Sequence, residues 1–256
     1  MRYHGGKTKG GKRISIILKR IIDNNDGISG YCEPFCGACG VLKHMVVGNE
    51  HLDFSGGDSN KSIVKMWSSL VGGWEPDISN VTKESYILMR GDGNSTAQKG
   101  FIGHVMSFGG VYFKSYVDEL LHTIESSKNN VITESILMKD VVFSSGDYTQ
   151  FSHIKNNIIF CDPPYQKNSN YYDDDNKRVL FDHESFWVWC KNMKKDNIIV
   201  VNEMSGIKID GCNPIIIELP ARNISYRKNT NKETESLYIY GDKLHRDCVY
   251  TDVRVP

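Results

Sequence analysis

Near the middle of the chain stand Asp162-Pro163-Pro164-Tyr165, whose types and order suit them to gripping an amino group. Two successive prolines lack amide hydrogens and have a fixed φ, so they form a rigid corner that offers only acceptors. The Asp162 carboxylate and the Pro163 carbonyl can then both accept from a single –NH2 donor, and Tyr165 adds an aromatic face for stacking a flat ring. The blander alternative is an ordinary loop opened by a capping aspartate. The preceding "NNIIFC" (156–161) is a buried-type apolar strand that breaks straight into the prolines. In α/β folds, the carboxyl end of such a strand is where ligands sit.

A second stretch, "YCEPFCGACG" (31–40), carries two signals. Cys32-x-x-x-Cys36-x-x-Cys39 has the thiolate spacing of enzymes that cleave S-adenosylmethionine on an iron–sulfur cluster. Phe35-x-Gly37-x-x-Gly40 is a glycine loop that lets the backbone approach an intact cofactor, and Asp58 follows at about the spacing of an acid that binds ribose hydroxyls. A zinc site would need a fourth ligand, and no second Cys or His pair has finger spacing. The cluster reading also leaves the Asp-Pro-Pro-Tyr corner without a role. The glycines therefore decide, and the cysteines are read as small apolar side chains.

These residues need a scaffold. Apolar periodicity predicts a helix over 13–23, a strand into the glycine loop, a helix continuing through "ACGVLKHMVV", a strand over 52–58 and a helix over 60–71. Residues 72–140 change character, with an irregular loop at 90–100 and a helix over 111–127. Alternation resumes with strands at 141–148, 156–161, 197–203, "PIIIELP" and 235–241, and a helix at "ESFWVWCKNMKK". Strands alternating with helices predict an α/β fold with an open, mostly parallel sheet. Gly37, Asp58, Asp147 and Asp162 all fall at or just after its strand ends.

With these motifs in order, the chain resembles the Dam-like DNA adenine-N6 methyltransferases. The resemblance is carried by "YHGGK" (3–7), "EPFCGACG" (33–40), "GDSN" (57–60), an insertion at about 72–140, "DPPY" (162–165) and the closing "SYRKNTNKETESLYIY", and spans nearly the whole chain. It implies a Rossmann-like methyltransferase sheet formed by 1–71 and 141–256, with 72–140 an inserted, mostly helical target-recognition region. It implies S-adenosylmethionine as cofactor, with Tyr3 and Lys7 at its pocket. Glu33, Phe35 and Gly37 would lie around its methionine moiety, Asp58 on the ribose, and Asp147 and Tyr148 beside its adenine. Asp162, Pro163 and Tyr165 would hold the target adenine, with Asp162 also near the cofactor. Relatives acting on cytosine N4 usually carry Ser at the Asp162 position, and those acting on glutamine or some RNAs carry Asn. Aspartate favours adenine in DNA. The pattern departs at Cys39, which stands where the family has its second loop glycine. No metal is implied.

Composition bounds the partners. Basic and acidic residues balance at 31 each, which argues against a non-specific polycation. Locally, residues 1–22 and 221–232 hold basic residues and no acid, which permits a phosphate-binding face that includes Arg227 and Lys228. Double-stranded DNA is the implied partner, and a cognate restriction nuclease is compatible with the resemblance. The basic, glycine-rich N-terminus is no secretory signal and no apolar run is long enough to span a bilayer, so a soluble intracellular protein is expected. The seven cysteines are read as reduced thiols.

Overall fold

The computed structural model describes residues 1, 3–8, 10–118, 121–166, 170–172, 178–209, 213–220 and 234–246. Helix α1 (Gly11–Asp23) leads into β1 (Gly30–Glu33), the short α2 (Leu42–Met45), β2 (Asp53–Asp58) and α3 (Lys61–Val71). Helices α4 (Lys83–Gly91), α5 (Ala97–Val105) and α6 (Leu121–Leu137) follow, then β3 (Val142–Ser145) and β4 (Asn157–Cys161). A hairpin of β5 (Asn170–Tyr172) and β6 (Arg178–Leu180) precedes α7 (His183–Met193), β7 (Ile198–Met204), β8 (Ile215–Glu218) and β9 (Glu235–Tyr240).

Seven strands form one sheet in the order β3-β2-β1-β4-β7-β9-β8. The first five in that order run parallel, and β9 is antiparallel to both of its neighbours. Side chains alternate between two apolar layers, as the pleat requires. Tyr31, Ile158, Phe160, Ile198 and Val200 face the core beneath α1, α2 and α3. Cys32, Ile159, Cys161, Ile199 and Val201 face the other layer, with Phe186, Trp189 and Cys190 of α7. Burial on both faces explains why β7 reads as an unbroken apolar run. The α/β fold with a mostly parallel sheet expected from the alternation is therefore present.

The chain lays β1, β2 and β3 outward in one direction, then returns to lay β4 and β7 on the other side of β1. Strand order reverses between β1 and β4. The loops leaving their carboxyl ends diverge there and open a crevice.

Three sequence expectations shift. The helix expected over 111–127 starts at Leu121. Residues 111–118 instead form turns in which Phe113 has φ +45° and is fully buried. The irregular loop expected at 90–100 gives way to α5 from Ala97, opened by Thr96, whose side chain accepts from the Lys99 amide. The helix expected after the glycine loop shrinks to α2, because turns occupy residues 37–41. No helix among the described residues is long and apolar enough to cross a membrane.

Candidate active site

A cavity of about 1180 Å³ lies over the carboxyl ends of β1, β2, β3 and β4. Tyr3, Lys7, Glu33, Phe35, Gly37 and Asp58 all border it. So do Asp147, Tyr148, Asp162, Pro163 and Tyr165, although these groups come from segments far apart in the chain. Arg227 and Lys228 lie outside the described residues.

The loop after β1 is held tightly. The Gly37 amide donates to Asp58 Oδ2 at 3.0 Å, the Trp67 indole donates to the Gly37 carbonyl at 2.8 Å, and the Cys36 amide donates to the Gly57 carbonyl at 2.8 Å. Gly37 has φ +43°, and a Cβ on it would meet the Tyr3 ring at 2.8 Å. Glycine is thus required here for both backbone and space. Cys39 also adopts a left-handed conformation, φ +52°, so the residue that departs from the glycine pattern sits where glycine would be unstrained. The Asn60 amide donates to Asp58 Oδ1 at 2.9 Å, and burial lifts the Asp58 carboxyl to about 6 despite these amide donors.

The three spaced cysteines do not meet at one point, although the Cys36 and Cys39 thiols are hydrogen-bonded to each other. Cys32 packs in the layer under α7, whereas Cys36 and Cys39 belong to the opposite layer. Burial raises the Cys32 and Cys39 thiols well above the ordinary range, so both are neutral among their apolar neighbours. No group of three metal-ligating side chains is assembled among the described residues.

One wall of the cavity is aromatic. Phe35 meets Tyr148 at 5.7 Å, Phe181 at 5.7 Å and Phe186 at 5.6 Å between ring centroids. Asp147 starts the turn that carries Tyr148, accepting from the Thr149 amide at 3.0 Å. This sets an aromatic wall beside a carboxylate. Across the cavity, Tyr3 packs against His104 of α5 at 4.5 Å. Burial keeps His104 neutral, pushing it down to about 4, and its Nδ1 donates to the Gly110 carbonyl at 3.0 Å.

The proline corner carries the polar centre. Lys7 is 5% exposed, and its Nζ lies 2.8 Å from Asp162 Oδ1 and donates to the Tyr165 hydroxyl at 2.7 Å. The Tyr165 hydroxyl and the Asn202 amide donate to the same Asp162 oxygen at 3.3 and 3.1 Å. Oδ1 thus takes three donors, and no hydrogen bond reaches Oδ2 from the described residues. Glu235 stands 3.9 Å from Lys7. Glu33 is buried beside this group, accepts from the Tyr31 hydroxyl at 2.6 Å and is pushed up to about 8 by burial. Lys7 belongs to the basic run 1–22 and borders the cavity, where the resemblance also puts it.

Sequence reasoning missed Asn202, Glu203 and Glu235. Glu203 is fully buried and accepts from the amides of Gln166 at 3.0 Å and Met204 at 2.7 Å, so it ties down the chain just after the proline corner. The available signal was the Asn-Glu pair ending an otherwise apolar strand. No protein-family model matches the chain, and no curated protein matches it.

Proposed function

We propose that the chain is a DNA adenine-N6 methyltransferase that takes its methyl group from S-adenosylmethionine. The observation that carries this reading is that Asp162-Pro163-Pro164-Tyr165 opens into the same cavity as the Gly37 loop and Asp58, at the reversal of strand order. In this reading the sheet is a Rossmann-like methyltransferase core and residues 72–140 are an inserted target-recognition region.

The residues fit the cofactor. A glycine that tolerates no Cβ gives close backbone approach, Asp58 offers a carboxylate to ribose hydroxyls, and the Phe35–Tyr148–Phe181 wall offers an aromatic face to a purine. The cavity volume exceeds the roughly 300–1,000 Å³ of a single-ligand pocket, which leaves room for a flipped base. S-adenosylmethionine supplies the methyl group on a positively charged sulfonium. The adenine N6 lone pair is conjugated into its ring and is a poor nucleophile. Asp162 Oδ2 and the Pro163 carbonyl accept hydrogen bonds from its two N–H groups and draw the nitrogen toward a tetrahedral geometry; as the N6–methyl bond formed, the methyl–sulfur bond would break to leave a neutral thioether, and one N6 proton would leave to solvent. Tyr165 stacks on the base, which offsets part of the few kcal/mol needed to flip it out of the duplex. With formal charges, Lys7 against Asp162 and Glu235 leaves one net negative charge around the corner. That favours the positive charge developing on N6.

Incubation with methyl-labelled S-adenosylmethionine and mixed-sequence DNA, followed by nucleoside analysis, tests this. N6-methyladenine is the expected product. N4-methylcytosine, or no transfer, would overturn the reading. Asp162→Ala should lower the single-turnover rate by roughly 10²–10³ while DNA affinity stays within a few-fold. A variant that transfers at the parent rate would remove Asp162 from the mechanism.

A further inference from the structure

Asn202 lies near the carboxyl end of β7 and is completely buried. β4 and β7 run parallel with Cys161 level with Val201, so the next pair along is Asp162 and Asn202. Two residues earlier, Phe160 and Val200 share one core layer, and the period of two puts Asp162 and Asn202 on that same face. The Asn202 amide nitrogen is 3.1 Å from Asp162 Oδ1, 3.5 Å from Glu235 Oε2 and within hydrogen-bonding reach of the Tyr165 hydroxyl. Turning the amide over would set its oxygen against two carboxylates, so its orientation is dictated by charge. The opposite end, Oδ1, is buried with no partner among the described residues. The charged neighbours thus commit the –NH2 end to the Asp162 and Tyr165 oxygens.

We propose that Asn202 is a positioning residue for Asp162 and Tyr165. Its –NH2 holds Asp162 Oδ1 and the Tyr165 hydroxyl together, so that Oδ2 and the tyrosine ring keep their aim on the target amino group. This rests on the methyltransfer reading above. Lys7 grips the same two groups, but from a flexible stem on a segment outside the sheet. Asn202 sits on a central strand, and precise sites are built on such rigid elements.

The test is single-turnover methyl transfer at saturating S-adenosylmethionine and DNA for the parent, Asn202→Leu, Asp162→Ala and the double variant. Leucine keeps the volume and removes the donors. Asn202→Leu should slow transfer by about 10–100-fold, the scale of a small misplacement of reacting groups. Dissociation constants for cofactor and DNA should stay within a few-fold, and the thermal midpoint should hold or rise. Because Asn202 acts in part through Asp162 and in part through Tyr165, the further loss from Asn202→Leu should be clearly smaller on the Asp162→Ala background than in the parent. If Asn202→Leu does not fold, Asn202→Ser, with its donor on a shorter stem, carries the same cycle. A full parent rate overturns the proposal. So does an undiminished loss on the Asp162→Ala background, or a rate loss matched by lost binding or thermal stability; Asn202 would then be a packing residue. A parent that transfers no methyl group to DNA instead strikes the methyltransfer reading, and the proposal with it.

Discussion

Glu33 shows how a single buried carboxyl links the site to stability. It is 3% exposed, and burial outweighs the hydrogen bond from Tyr31, lifting its carboxyl from 4.5 to about 8. Between those values the folded chain keeps a proton that the unfolded chain has released. The native state binds more protons, so stability present below the unfolded value is lost as pH rises toward about 8, with a slope of up to about 1.4 kcal/mol per pH unit. Glu33→Gln keeps the acceptor for Tyr31 and removes the titration. Urea unfolding of both proteins at about pH 5 and about pH 8.5 checks this. The variant should gain on the parent by a few kcal/mol between the two conditions. An equal difference at both would show that Glu33 ionises normally. Asp58, raised to about 6 by burial, titrates in both proteins and cancels from the comparison.

At the scale of elements, the turn between β1 and α2 decides how closely the cavity floor can approach a ligand. Cys39 is fully buried yet adopts φ +52°, where a side chain costs about 1–2 kcal/mol. Cys39→Gly relieves that strain and loses the thiol packing, whereas Cys39→Ala loses packing and keeps the strain. The glycine variant should therefore be more stable than the alanine one by about 1 kcal/mol in denaturant midpoints, the reverse of the usual core order. Its affinity for S-adenosylmethionine should be unchanged or tighter. An alanine variant more stable than the glycine one would show the loop to be unstrained. The same turn illustrates what the sequence made legible. Continuous apolar runs located the buried parallel strands, and punctuation by Gly37, Asp58 and Asp162 located the ends that border the cavity. α5 was hidden because buried residues run continuously from Lys99 to Val105 and include two glycines, leaving no amphipathic stripe to read. The start of α6 was misplaced because Tyr112 and Phe113 are apolar residues buried by a turn rather than a helix face. The Asn-Glu pair marked Asn202 as unusual, but its partners, and Glu235 altogether, were hidden for another reason: only the register of β7 with β4 and β9 brings them to Asp162 and Lys7, and register is a long-range property.

For the whole molecule, balanced charge hides an uneven distribution. The two acid-free basic runs, 1–22 and 221–232, lie at opposite ends of a chain with 31 basic and 31 acidic residues. The first run gives Lys7 to the cavity, where it pairs with Asp162, so Lys7 is not available to the solvent side. In the proposed reading, attraction to phosphates then falls on the other basic residues, Arg227 and Lys228 among them. Every phosphate neutralised releases condensed counterions, so affinity falls with salt at a slope of about 0.9 per contact on duplex DNA. Lys228→Ala should weaken DNA binding and flatten the plot of log affinity against log salt by about that much. The transfer rate at saturating DNA should stay near the parent's, because Lys228 belongs to neither the proline corner nor the glycine loop. Fluorescence anisotropy with a labelled duplex across a salt series gives the slope directly. A slope equal to the parent's would make the 221–232 run a solvated surface and move the phosphate contacts to the remaining basic residues of the first run.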